Sequence, residues 1–65
     1  MTFVEMQHTN NNYHIEMLYE FGLFYVRVCP MNDSLCSYPI AQTFYTKDEK
    51  KKAIATFKRY VKKYS

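Results

Sequence analysis

The C-terminal segment 47–65 constrains the fold most, because it has the pattern of one amphipathic helix with a marked start. Thr46 and Glu49 have the spacing of a capping box, which begins a helix. An apolar stripe with the helical period follows, and its members are Ala53, Ile54, Phe57, Tyr60, Val61 and Tyr64. The segment therefore predicts a helix over 47–64 whose apolar side covers another element.

Two segments upstream alternate between apolar and polar side chains. Residues 13–20 have the period-two pattern of a half-buried strand. Residues 23–29 continue the alternation as far as Pro30, which has no N–H for a sheet ladder. Gly22, the single glycine of the chain, lies between the two segments and can take the positive φ of a tight turn. We therefore predict a β-hairpin here.

A third strand is predicted over residues 35–45, although Pro39 interrupts it. Proline in a strand favours an edge position, because its nitrogen cannot donate to a neighbouring strand. Residues 1–12 are predicted either as loose chain or as a short extra edge strand at their start, with a turn over 8–12 where three asparagines follow one another.

These segments together predict one small α+β domain over residues 1–65. Its sheet, over 13–46, is a three-stranded antiparallel meander, which a short N-terminal strand extends in one of the two interpretations of residues 1–12. The helix over 47–64 packs on one face of that sheet. The sheet residues predicted to face the helix are Ile15, Met17, Phe24, Val26 and Val28.

Charge is distributed unevenly along the chain. Residues 47–65 contain eight Lys and Arg against two acidic residues, whereas residues 1–46 contain one Arg against four acidic residues. Such polarity is typical of a binding protein. A chain of 65 residues has a thin core, which rarely supplies the supporting contacts that a catalytic site needs. We therefore predict no enzyme activity, no catalytic residue and no cofactor.

The location is predicted to be cytoplasmic, with no membrane partner. The longest apolar run, at 21–26, is far shorter than the about 20 residues that a spanning helix needs. The N-terminus lacks the basic and apolar regions of a signal peptide. In a reducing cytosol, Cys29 and Cys36 are expected to be free thiols, although they flank the 30–35 turn and a disulfide between them is geometrically allowed.

A metal site is not predicted. Cys29 and Cys36 are farther apart than the cysteine pairs that usually bind zinc. His8 and His14 are likewise not spaced as a ligand pair, and His14 shares its strand face with Glu16.

Two surfaces are candidates for binding a partner. The sheet face that the helix leaves uncovered, called the open face below, is predicted to bind a partner through Glu16, Leu18, Glu20, Leu23, Tyr25 and Arg27. The basic side of the helix is the alternative, and its candidate phosphate-binding residues are Lys47, Lys51, Lys58, Arg59 and Lys62. The same lysines also fit a solvated surface that keeps a small protein soluble.

The order of three strands followed by a helix resembles two families of DNA-binding domain. The segments 22–27 (GLFYVR) and 43–47 (TFYTK) fit the outline of the arm-type domains of some phage integrases and of the plant APETALA-type domain. That resemblance implies DNA contact through the sheet. The order also resembles the latter part of a double-stranded-RNA-binding domain, which implies phosphate contact by Lys47, Lys50, Lys51 and Lys52.

The mixed Glu, Leu, Tyr and Arg composition of the open face favours a protein partner, since aromatic residues and Arg anchor interfaces. We expect a small accessory factor of the kind found in phages and mobile elements. Such a factor docks onto a larger enzyme, for example one that processes nucleic acid, and inhibits or modulates it. The alternatives are a nucleic-acid-binding protein that uses the basic helix, and a homodimer formed through edge strands.

Overall fold

A computed structural model describes residues 2–65, in which four antiparallel strands precede one C-terminal helix. The elements are β1 (Phe3–Thr9), β2 (Tyr13–Glu20), β3 (Leu23–Pro30), β4 (Ala41–Thr46), a 3₁₀ turn over Lys47–Glu49 and α1 (Lys50–Lys63). The strands lie in the order β1-β2-β3-β4, so each pairs with its neighbour in sequence. The predicted α+β class, antiparallel meander and C-terminal helix are confirmed, and the sheet has four strands where three with a possible fourth were predicted.

The N-terminal segment forms a full edge strand. β1 runs to Thr9, so the predicted turn over 8–12 is wrong at His8 and Thr9, which pair with Ile15 and His14. The chain turns only at residues 10–12, where the side chain of Asn10 accepts hydrogen bonds from two backbone N–H groups. A bulge between Val4 and Met6 shifts the register of the pairing.

The predicted strand over 35–45 is wrong in its first half. Residues 31–40 form a loop, and the strand begins at Ala41. Backbone hydrogen bonds within the loop form two consecutive turns. The N–H of Asp33 donates to the Pro30 carbonyl and that of Cys36 donates to the Asp33 carbonyl, both over 3.0 Å. Local turn chemistry therefore outcompetes strand pairing before Pro39.

The core lies between α1 and one face of the sheet. Ala53 and Phe57 of the helix are buried there together with the five predicted sheet residues. These are Ile15, Met17, Phe24, Val26 and Val28, none of them more than 4% exposed. The remaining members of the predicted helix stripe pack against this cluster. The predicted helix-facing side of the sheet is therefore confirmed.

Polar contacts fix both ends of the helix. The predicted capping box is present at the 3₁₀ turn that leads into the helix, where the backbone N–H and the hydroxyl of Thr46 each donate to Glu49 Oε1 over 3.1 Å. The α-helix itself begins at Lys50, so the predicted start at residue 47 is wrong by this one turn. At its end, the side chain of Asn10 donates to the Tyr64 carbonyl over 2.9 Å, and the Tyr13 and Tyr64 rings meet edge to face. The helix end is thereby held against the β1–β2 turn.

The β2–β3 hairpin closes through a two-residue turn of Phe21 and Gly22. Both residues have positive φ, 54° and 76° respectively, which is the pattern of a type I′ turn. Glycine takes this conformation without steric cost, whereas phenylalanine is strained there by contacts between its Cβ and the backbone. The Phe21 side chain is 84% exposed, so little packing offsets that strain.

We expect Phe21→Asn to raise the free energy of unfolding by about 1 kcal/mol, because Asn-Gly is the preferred pair for this turn. Urea denaturation followed by circular dichroism measures the change. Phe21→Val is the matched control and is expected to lower stability, since a branched Cβ suits positive φ least. Equal stability of the Asn and Val variants would contradict this account of the turn.

Candidate functional site

The open face carries an apolar row that crosses all four strands. Strand pairing places its members, Val4, Leu18, Tyr25 and Phe44, side by side. Leu18 is 7% exposed within the row, whereas Val4 and Phe44 at its two ends are each 55% exposed. The Tyr25 and Phe44 rings meet edge to face at a centroid distance of 5.0 Å. The row is thus a packed apolar strip with accessible ends.

A polar row lies next to the apolar row, and its members are Gln7, Glu16, Arg27 and Gln42. Glu16 is 7% exposed and is held by two basic side chains. His14 Nε2 lies 2.9 Å from Glu16 Oε2, and the guanidinium of Arg27 donates to Glu16 Oε1. These contacts fix the Arg27 and His14 side chains on the open face.

The environment of Glu16 lowers the pKa of its carboxyl below the ordinary value of 4.5. Burial acts in the opposite direction and raises the pKa, because it disfavours the charged form. The hydrogen bonds from His14 and Arg27, together with their charges, outweigh burial. Glu16 is therefore ionised at neutral pH and stabilises the fold in that form.

We expect Glu16→Gln to lower the free energy of unfolding at pH 7 by about 2 kcal/mol, because two charge-assisted hydrogen bonds are weakened. A lowered folded-state pKa stabilises the native state above the unfolded-state pKa, and this contribution is lost as the pH falls through the folded-state pKa. The difference in unfolding free energy between the wild type and the variant should therefore shrink below pH 4.5. Urea denaturation across the pH range measures it.

Glu5→Gln is the matched control, since Glu5 is an exposed carboxylate on β1. Its effect on stability should stay within about 0.5 kcal/mol at every pH. If Glu16→Gln lowered the free energy of unfolding by the same amount at every pH, the result would contradict the ionised state of Glu16.

The six residues predicted to bind a partner lie together on the open face, but they differ in access. Glu16 and Leu18 are buried, which corrects the expectation that both are displayed on the surface. The cause is packing within the face: Glu16 is enclosed with its basic partners, and Leu18 lies in the apolar row. The other four are half-buried, and these are Glu20, Leu23, Tyr25 and Arg27.

Sequence reasoning missed the most exposed apolar residues of the open face, Val4 and Phe44. Both lie on the outer strands, β1 and β4, whose extents local patterns did not reveal. The alternation of Thr43 and Tyr45 with Phe44 was a signal, because the first two pair with the helix-facing residues of β3 and Phe44 pairs with Tyr25.

The loop over residues 31–40 is tied to the open face by a disulfide, and we call it the clasped loop. Cys29, at the end of β3, is bonded to Cys36 with their Cα atoms 5.3 Å apart. The expectation of two free thiols is therefore wrong for this structure. The turn after Pro30 brings the two cysteines together, and Cys36 reaches its partner with a φ of 52°.

Hydrogen bonds inside the clasped loop converge on Asp33. Its carboxylate accepts the backbone N–H of Tyr38 over 3.1 Å. Hydrogen bonds from the backbone of Tyr38 and Ser37 hold the pKa of Asp33 below its ordinary value. The side chains of Leu35 and Tyr38 lie in solvent, and these residues are 82% and 83% exposed.

The basic side of the helix lies on the far side of the sheet from the open face. All five candidate phosphate-binding residues are exposed, namely Lys47, Lys51, Lys58, Arg59 and Lys62. In the described part of the chain, the one ion pair of a helix lysine joins Lys52 to Glu49 over 3.2 Å. The five candidates are therefore available to an anionic partner.

Comparison with protein families, curated proteins and solved structures gives no match for this chain. Its own residues are therefore the basis for assigning it a function. Among residues 2–65, no helix has both the length and the apolar character needed to cross a bilayer.

Proposed function

We propose that this chain is a non-catalytic binding module that docks onto another protein through the open face of its sheet. The apolar row carries the proposal, because it crosses the sheet and ends in the exposed side chains of Val4 and Phe44. An apolar centre beside a polar border is the usual composition of a protein interface. Here the polar row provides that border, with Arg27 fixed by Glu16.

The partner that fits best is a larger enzyme that handles nucleic acid, which this chain would inhibit or modulate as a phage or mobile-element accessory factor does. Two surfaces of different character support this partner. The open face offers apolar and mixed polar contacts, whereas the opposite surface, on α1, is strongly basic. A chain docked through its open face would present its lysines to the nucleic acid near the enzyme.

The double variant Tyr25→Ala with Phe44→Ala tests the docking surface. The tagged protein is incubated with host lysate with and without nuclease, and the retained proteins are identified by mass spectrometry. We expect the wild type to retain one stoichiometric protein after nuclease, and the double variant to bind it about 30-fold more weakly or worse, since aromatic anchors contribute about 2 kcal/mol or more.

Phe21→Ala is the matched control, because Phe21 is an exposed aromatic residue outside the open face. It should leave the affinity unchanged, and circular dichroism should show both variants folded. Wild-type affinity of the folded double variant would contradict docking through the open face.

Nucleic-acid binding through the basic side of the helix is the second candidate function. It is favoured by one observation: the five candidate residues are exposed and have no acidic partner within residues 2–65. Lysines in this arrangement contact phosphates and release counterions, which gives affinity with little base specificity.

We expect this second function to show as binding of a DNA duplex that weakens steeply with salt. The slope of log affinity against log salt should become less steep in the triple variant Lys51→Gln, Lys58→Gln, Lys62→Gln. The expected change is about 0.9 for each phosphate that is no longer neutralised. Fluorescence anisotropy measures the slope, and Glu5→Gln, at an exposed position on the sheet, is the control. An unchanged slope in the triple variant would exclude the basic side of the helix as the binding surface.

Homodimerisation through an outer strand is compatible with either function. β1 and β4 are the two edges of the open sheet, and each has one side free to pair with another strand.

A cytoplasmic location remains part of the proposal, and it bears on the redox state of the disulfide. Disulfides are rare in a reducing cytosol, where those that occur are usually transient or redox-sensing. In that compartment, the Cys29–Cys36 bond would open and close with the thiol balance of the cell.

A further inference from the structure

We propose that the clasped loop, residues 31–40, is the specificity element of the interface and inserts Leu35 and Tyr38 into an apolar cleft of the partner protein. This inference rests on the proposed docking function and adds to it the element that enters the partner. It also makes binding depend on the Cys29–Cys36 disulfide.

The clasped loop exposes two large apolar side chains that fit an apolar cleft. Leu35 and Tyr38 are 82% and 83% exposed, and neither belongs to the core. The one charged residue of the loop is Asp33, and its carboxylate is engaged by the loop's own backbone. The loop therefore presents a leucine and a tyrosine beside one carboxylate, which its own backbone holds in place. A cleft that receives them would be apolar, with an acceptor or donor for the Tyr38 hydroxyl.

The clasped loop is also ordered before binding. The disulfide attaches it to Cys29, which is 1% exposed at the end of β3. Hydrogen bonds of 3.0 Å link Cys36 to Asp33 and Asp33 to Pro30. A loop that is already fixed loses little conformational entropy when it binds, so more of the contact energy appears as affinity. Exposed apolar side chains on a rigid support are characteristic of interface anchors.

The position of the loop favours a protein partner over a lipid surface. Cys29 shares the open face with His14, its direct neighbour on β2, so the loop is attached on that side of the sheet. Ile40, 49% exposed, leads from the loop into β4 and donates to the Val28 carbonyl. Insertion into an anionic bilayer would be helped by lysines beside the loop, but the loop itself contains none. One protein surface can instead contact the open face and the loop together.

Opening the disulfide should weaken this interface. A dithiol reductant breaks the S–S bond, supplies two electrons and two protons to form the Cys29 and Cys36 thiols, and is itself oxidised to a disulfide. The loop then loses its covalent attachment to β3, and its anchors must be ordered again on binding. Ordering two such side chains is expected to weaken binding about tenfold.

Site-specific photocrosslinking tests the insertion. The photoreactive residue p-benzoylphenylalanine replaces Tyr38, Phe44 or Phe21, one at a time, in the full chain, which is purified with its disulfide intact and irradiated in host lysate without reductant. We expect crosslinks to the same protein from positions 38 and 44 and none from position 21. Crosslinks from 44 alone would overturn the role of the loop and leave the open face as the docking surface. Crosslinks from neither position would overturn both proposals.

Affinity for the crosslinked protein, purified, tests the energetic role. The double variant Leu35→Ser with Tyr38→Ser should bind about 30-fold more weakly or worse, and Cys29→Ser with Cys36→Ser about tenfold more weakly. Adding dithiothreitol should weaken the wild type to the level of the cysteine variant and leave that variant unchanged. Wild-type affinity of the Leu35 and Tyr38 variant would overturn the inference.

Sedimentation with vesicles of phosphatidylcholine and phosphatidylserine tests the lipid alternative. We expect the protein to remain in the supernatant, or to bind equally with and without the Leu35 and Tyr38 substitutions. Vesicle binding that these substitutions abolish would overturn a protein cleft as the site that the loop occupies.

Discussion

The packing of α1 onto one face of the sheet determines how every other surface of this chain is arranged. Ala53 and Phe57 are buried against β2 and β3, and the contact is completed by Ile54, Tyr60, Val61 and Tyr64. A helix of 14 residues is about 21 Å long, enough to cover one face of this small sheet. Residues 2–65 contain no second α-helix to cover the other face, so side chains there must pack among themselves.

This constraint explains the character of the open face. Glu16 becomes buried without a covering element because His14 and Arg27 enclose it, and its charge is retained through their hydrogen bonds. Leu18 becomes buried because it lies in the apolar row between neighbours on both sides. The ends of that row have no neighbour strand, which leaves Val4 and Phe44 exposed. The candidate binding surface is thus a consequence of covering only one side of the sheet.

The parts of the fold that could be predicted from the sequence are those governed by local periodicity. The alternation along β2 and β3, the helical stripe on α1 and the capping box at Thr46 each depend on neighbours a few residues away. The parts that sequence reasoning missed depend on contacts between distant segments. β1 extends to Thr9 because β2 offers hydrogen-bond partners, and the cysteines are joined because the loop turns back toward β3.

Periodicity alone was enough to assign which residues of β2 and β3 face the helix, since a period of two fixes the sides of a strand and a period of 3.6 fixes the side of a helix. The place of Val4 and Phe44 on the open face was instead set by the assembled sheet. Val4 and Phe44 are far apart in the chain, and the register of three strand pairs brings them into line with Leu18 and Tyr25. Turn geometry and the hydrophobic pattern fix the register within one pair of strands, but a row that crosses four strands depends on all three pairings together.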